Sequence, residues 1–339
     1  MCKISVVTSV YNCEQFIEET VRSVQNQTFR DWEYILLDDC SRDRSAEIIE
    51  KIAKEDARIK FIRNKVNQGQ CKNLNKGISI AKGKYIARLD HDDILYPRRF
   101  EKQLSYMEQH PDIVLLGSWM DFWKDGKVFM HRGDNYTISS PAEAKLLMTA
   151  TNFMAHSSFF IRKAAMVEND IWYDDTFKYA EDYAIVSGLM QVGGISLINE
   201  PLVTYRLFEE QLTNRCSDEL KSGEHLAIQN SIADMIEKTG INGTDAYRKA
   251  IKGELRSVDE YKELRQFVID YARQCGISDD ERDIINNRDV QLTYLLLCVK
   301  QRTKGMGKLM YYARDKIRYR GWWRDRRGLA FAKHCLRGY

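Results

Sequence analysis

Short apolar runs alternate with helically spaced apolar residues through the first half of the chain. Val6 and Val7, within Lys3–Thr8, read as a strand, and Phe16, Ile17, Thr20, Val21 and Val24 then recur at the spacing of one helix face. A second run, Tyr34–Leu37, ends in Asp38-Asp39 and precedes a helix with Ile48, Ile49 and Ile52 on one side. Ile59–Ile62 predicts a third strand. Asn67-Gln68-Gly69 leads into a helix carrying Leu74, Ile78 and Ala81, and Lys82-Gly83-Lys84 turns into a buried strand over Tyr85–Leu89. A fifth strand, Ile113–Leu116, follows His110-Pro111. Strands alternating with helices predict an α/β fold, a mostly parallel, Rossmann-like sheet flanked by helices.

Beyond Gly117 the pattern is mixed. Asp125-Gly126 signals a hairpin between Trp119–Phe122 and Lys127–Phe129, Ser158–Ile161 reads as a strand, and Tyr183–Met190 as a helix behind Glu181-Asp182. Two more strands are expected over Ile195–Ile198 and Leu202–Arg206. From about Cys216 the chain reads as helical, with Ile228, Ile232, Met235 and Ile236 on one face. The expected division is a region of residues 1–212, with parts 1–117 and 118–212, and a helical region of residues 213–339.

Composition narrows the class. Apolar residues make up 44% and charged residues 30% of 339, ordinary for a folded protein and unlike a disordered one. The eight cysteines form no Cys-x-x-Cys pair, so reduced thiols and a cytoplasmic location are expected. The chain opens directly on a strand, which leaves no room for a signal peptide, and no apolar run approaches the ~18 residues of a membrane span. Net charge is only +3, but Lys and Arg crowd the last forty residues among Tyr311, Tyr312, Tyr319, Trp322 and Trp323. That mixture reads as a helix peripheral to an anionic membrane surface, or as a helix packed on the protein. Nucleic acid is not expected as a partner, because no recognised binding module accompanies the charge.

Three acidic clusters carry the candidate chemistry: Asp38-Asp39, Asp90-His91-Asp92-Asp93 and Glu181-Asp182. The first two fall at strand ends, where a parallel sheet opens its ligand crevice, and crowded carboxylates suit a hard divalent cation. Turns and helix caps are the alternative reading of each cluster. No Gly-x-x-x-x-Gly-Lys-Ser/Thr or Gly-x-Gly-x-x-Gly pattern occurs, and the first strand ends in Thr8-Ser9 rather than a nucleophilic Asp. Nucleotide hydrolases, dinucleotide enzymes and Asp-x-Asp phosphatases therefore lack their signatures.

Ser5–Asn12, Ser23–Phe29, Leu36–Asp43, Asn67-Gln68-Gly69, Asn75–Ile78, Ala81–Ala87 and Leu89–Asp93 occur in the order found in one family. Over residues 3–210 the chain resembles the family 2 inverting glycosyltransferases. The resemblance implies a GT-A fold, a nucleotide-sugar donor, most often a UDP-sugar, and a glycan or lipid-linked saccharide acceptor of the kind used in bacterial surface-polysaccharide assembly. It makes 1–117 the nucleotide-binding part and 118–212 the acceptor part.

On that resemblance Asp39 bonds the pyrimidine, while Thr8, Tyr11 and Asn12 line the base and ribose pocket. Asp92 is the metal ligand for Mn2+ or Mg2+, with Asp90 at the ribose or metal and Asp93 in support. Asp182 is the general base and Glu181 its substitute. Arg206 is available for the diphosphate and Lys72 for the nucleotide, each with a surface or ion-paired reading beside it. His156 falls where the family shapes the acceptor pocket, or is a core histidine. Many relatives carry Arg-x-His near the end of this region, whereas Arg206-Leu207-Phe208 has phenylalanine there. A nucleotide-sugar-binding protein without turnover is therefore the rival expectation.

Overall fold

The structure is a computed structural model that describes residues 2–129, 136–208 and 218–299. The basic aromatic tail lies outside the described residues. Residues 1–145 with 152–228 form one compact unit, and residues 146–151 with 229 onward form a second.

A nine-stranded mixed sheet organises the first unit. Its strands are β1 (Ile4–Val10), β2 (Trp32–Asp38), β3 (Ile59–Arg63), β4 (Tyr85–Arg88), β5 (Ile94–Leu95), β6 (Ile113–Lys124), β7 (Lys127–Phe129), β8 (Phe160–Arg162) and β9 (Gly194–Arg206). They run in the order β3-β2-β1-β4-β8-β6-β9-β5, with β7 hairpinned onto β6. The three junctions from β3 to β4 are parallel, as the alternation predicts, and β8 enters antiparallel between β4 and β6. β1 and β2 are buried along their whole length, which is why both read as continuous apolar runs.

Register sets the site. Val10 pairs with Asp38 and Val7 with Arg88, so the chain leaves β1, β2 and β4 at one edge and delivers Tyr11, Asp39 and Asp90 together. Phe160 of β8 pairs with Ala87, which places the 3-10 turn His156–Ser158 beside Asp90.

Helices α1 (Ile17–Gln25) and α2 (Ser45–Glu55) bury the apolar faces anticipated from their spacing, Ile17, Val21, Val24, Ile49 and Ile52, and α4 (Arg99–Gln109) adds Phe100 and Met107 to the same core. Helix α3 (Gln70–Ile80) lies close on the sheet through Gly77, where a Cβ would stand 2.5 Å from Val7 Cγ1. Helices α5 (Pro141–Met148), α6 (Lys163–Val167) and α7 (Glu181–Val192) follow.

Two details depart from the sequence reading. The strand expected over Ile113–Leu116 continues to Lys124, and the two expected at Ile195–Ile198 and Leu202–Arg206 are one strand, β9, paired with β6 through irregular register near Pro201. Proline ended the pattern on paper, but a bulge carries the strand past it.

The second unit is helical as expected. It takes the later part of α8 (Asp218–Glu237), then α9 (Thr244–Lys252), α10 (Val258–Gln274), α11 (Glu281–Asn286) and α12 (Arg288–Val299). A Ser257/Glu260 capping box starts α10, and Tyr247 stacks on Phe267 at 5.0 Å. Residues 146–151 join this unit, where Thr149 accepts hydrogen bonds from Tyr247 and Gln229, a connection no periodicity announces.

Candidate active site

Asp39 stands one residue past β2 and is nearly buried. Its Oδ1 accepts the Gln68 N–H and its Oδ2 the Gly69 N–H, both at 2.8 Å, and Asn64 donates to Oδ1 at 3.2 Å. Gly69 holds φ at +88°, a conformation L side chains rarely adopt, and this turns the two N–H groups toward the carboxylate as α3 begins. Burial alone would raise the Asp39 pKa, but the donors together hold it below the usual carboxylate range.

The neighbouring loops are tied to each other. The Asn12 N–H donates to the Ser41 hydroxyl oxygen at 3.0 Å, and Asn12 Oδ1 accepts the Arg42 N–H at 2.9 Å. Asn12 and Cys40 both have positive φ, at 47° and 65°. Such backbone conformations concentrate at ligand sites. Tyr11 is exposed at this mouth, whereas Thr8 is fully buried below it, its hydroxyl donating to the Leu89 carbonyl at 2.8 Å.

The Asp90–Asp93 cluster separates by partner. Asp90 takes Arg88 Nη2 on Oδ1 at 2.6 Å and the Ser157 hydroxyl on Oδ2 at 2.7 Å. Burial opposes its ionisation, yet the Arg88 charge and the Ser157 bond hold its pKa well below normal. Asp93 is fully buried. Its Oδ1 accepts the Arg206 N–H at 3.2 Å, while Oδ2 has no hydrogen-bond partner, and burial with the Asp92 and Asp90 charges pushes its pKa well up. Asp92, half-buried between them, is raised by burial and then by Asp90. His91 turns its Nδ1 to the Ser9 carbonyl at 3.1 Å.

Opposite lies the N-terminus of α7. Asp182 Oδ2 accepts Asn152 Nδ2 at 2.8 Å, and Glu181 Oε1 accepts Gln70 Nε2 at 3.1 Å. His156 Nδ1 lies 3.9 Å from Glu181 Oε1, and its Nε2 bonds the Tyr173 hydroxyl at 2.8 Å. Burial pushes Glu181 up to about 8, with the Asp182 charge adding to it, and lifts Asp182 to about 6. Burial and the Arg88 charge hold His156 well below its ordinary value, so it is neutral. Both carboxylates at the start of α7 are thus buried and held above their ordinary proton affinity.

The structure thus brings Tyr11, Asn12, Asp39, Asp90, Asp92, Glu181 and Asp182 to one edge of the sheet. The two cationic residues expected to serve the nucleotide, Lys72 and Arg206, both have protein partners. Lys72 pairs with Asp175 at 3.1 Å on the surface. Arg206 is 2% exposed, ion-paired with Glu19, bonded to the Asp92 carbonyl, and has its guanidinium 5.2 Å from the Phe16 ring centroid. Phe208, at the family's histidine position, packs against that same Phe16 ring, centroids 4.8 Å apart. The sequence reading passed over Arg88, Gln70, Asn152, Ser157 and Tyr173. Arg88 alone left a signal, as a charge inside an otherwise apolar run.

The mixed sheet, with acids gathered at the ends of β2 and β4 and at the start of α7, is a GT-A fold. The chain belongs to glycosyl transferase family 2 and is a glycosyltransferase. Residues 5–168 match that family's model. An uncharacterized glycosyltransferase of Haemophilus influenzae is 31% identical over 246 residues, covering 70% of this chain and 76% of the relative. One from Methanocaldococcus jannaschii, MJ1057, is 34% identical over 209 residues, 60% of this chain and 70% of its own. The crystal structure of S. aureus TarS 1–349 in complex with UDP-GlcNAc shares the fold at a TM-score of 0.60 and 18% identity, over 94% of this chain and 91% of that one.

Proposed function

We propose that this enzyme moves a sugar from a UDP-sugar to a hydroxyl of a glycan or lipid-linked saccharide, with inversion at the anomeric carbon. The observation that carries the reading is the junction of α7 with the end of β4. Ser157 bonds Asp90, and its neighbour His156 sits beside Glu181, so a donor held over Asp39 and Asp90 faces the acid pair. Asp39, Tyr11 and Asn12 bind the nucleoside, and the complex of a structural neighbour with UDP-GlcNAc supports that class of donor.

Asp182 is the base. At neutral pH Glu181 keeps its proton, whereas Asp182, near 6, is mostly ionised. It takes the acceptor hydroxyl proton as that oxygen bonds the anomeric carbon and the bond to the diphosphate breaks. A single displacement inverts the centre.

Among the described residues no three His, Cys, Asp or Glu side chains converge as a metal cage. The donor set nevertheless fits a cation held partly by substrate. Asp92 takes no hydrogen bond from another described residue's side chain, and Asp93 Oδ2 is a buried oxygen without a partner. Asp92 would hold Mn2+ or Mg2+ together with diphosphate oxygens, with Asp93 in support and Asp90 kept for Arg88 and Ser157. Such an ion supplies charge stabilisation to the departing diphosphate. For residues 300–339, outside the described set, we retain contact with an anionic membrane surface.

Phe208 on Phe16 favours one rival, a nucleotide-sugar-binding protein without turnover. A panel of nucleotide sugars, assayed for binding and for nucleotide release with and without Mn2+, separates the two. In the enzyme, Asp182→Asn keeps donor binding and lowers transfer by about 100-fold or more. Transfer at the wild-type rate in that variant rejects Asp182 as base, and loss in Glu181→Gln alone moves the role there.

A further inference from the structure

Arg88 closes β4 at 2% exposure. Tyr85, Ala87 and Leu89 join the core on one face of the sheet, so strand alternation turns Arg88 to the other face, the one α3 covers. Its Nη2 donates to Asp90, but Nε and Nη1 are buried without hydrogen-bond partners. Unmet donors on a buried charge are destabilising, and a buried ion pair is often replaced by apolar side chains without loss. Packing therefore does not account for a cation here.

Its surroundings do. The titratable and charged groups facing Glu181 are Asp182 on its own helix, Asp90 and Arg88 at the end of β4, His156 on the 3-10 turn, Tyr173 from the loop before α7, and Cys71 on α3. His156 is neutral, Tyr173 and Cys71 keep their protons, and Arg88 is the permanent positive charge in that set. We propose that Arg88 is a positioning residue for transfer: it locks the Asp90 carboxylate, which Ser157 ties to the turn that sets His156 beside Glu181, and so supplies the positive charge next to the acid pair. The inference rests on reading that pair as the base.

The test is a side-chain carboxyl carbon-13 NMR titration of wild type, Arg88→Met and Arg88→Lys, with Glu181→Gln and Asp182→Asn assigning the signals. Removing the cation should raise the pair's midpoints by about 1 pH unit or more, and lysine should restore at least half of the difference. Unmoved midpoints in folded Arg88→Met overturn the proposal. Should that variant fail to fold, Asp90→Asn/Arg88→Met is compared with Asp90→Asn alone, which removes the stranded carboxylate, and the same criterion applies. The acid limb of nucleotide release from UDP-GlcNAc should move upward with the midpoints. A limb that stays put while Asp182→Asn is inactive overturns Arg88's part in transfer. Wild-type turnover by Asp182→Asn instead fails the base assignment and leaves the NMR criterion for Arg88 intact.

Discussion

Asp39 and Asp92 are both acids at a crevice, but the groups already bonded to them differ, and so should their variants. Asp39→Ala strands the N–H groups of Gln68 and Gly69 and should weaken UDP binding with or without metal. Asp92→Ala removes no bond to another described side chain, so it should leave the fold intact and abolish only the metal-dependent part of binding. Calorimetry with UDP, with and without Mn2+, reads both. Equal UDP affinity in Asp39→Ala, or an unchanged metal requirement in Asp92→Ala, rejects the corresponding role. Glu181 gives a stability prediction with a definite sign. Its folded pKa, about 8, lies above the ordinary value of a glutamate, so burying it is harmless at low pH and increasingly unfavourable as pH rises from about 4.5 to 8. Glu181→Gln should therefore melt close to wild type at pH 4 and above it at pH 9, by on the order of a few kcal/mol in stability. A gap that does not widen with pH contradicts the assigned burial.

At the scale of elements, the alternation of apolar runs was enough to place β1 to β4 and the helices between them, because central parallel strands must be apolar on both faces. Close approach was not legible. Gly77 lies mid-helix, where glycine ordinarily weakens a helix, and only the fold shows α3 resting on Val7 and Leu37 there. Gly77→Val should destabilise the protein by about 1–3 kcal/mol through overpacking. Urea unfolding measures it, and a stability within experimental error of wild type means that the contact yields. β9 shows the reverse failure. Pro201 reads as an end, yet a strand already hydrogen-bonded on either side of a bulge absorbs it.

At the scale of the molecule, the tail and the two units carry the open question of where the enzyme works. No helix among the described residues is long and apolar enough to cross a membrane. Deleting residues 305–339 should release the protein from anionic vesicles and change turnover on a soluble acceptor little. Sedimentation at low and high salt decides it, since a charge-driven contact weakens as salt screens it. Binding indifferent to salt, or collapse of the shortened chain, favours a tail packed on the protein.

The sequence by itself determined the α/β class, the family, and the acids at strand ends, because apolar periodicity and local motifs are written in consecutive residues. By local pattern Asp90, Asp92 and Asp93 are three similar carboxylates, told apart only by what the family resemblance implies. The tertiary structure separated them by partner, giving Asp90 to Arg88 and Ser157 and burying Asp93 against the Arg206 N–H. It likewise turned Arg206 under the cluster and buried Glu181 and Asp182 together, which raises the proton affinity of both. Those outcomes depend on burial and on partners tens of residues away in sequence, which register and packing supply and local pattern does not.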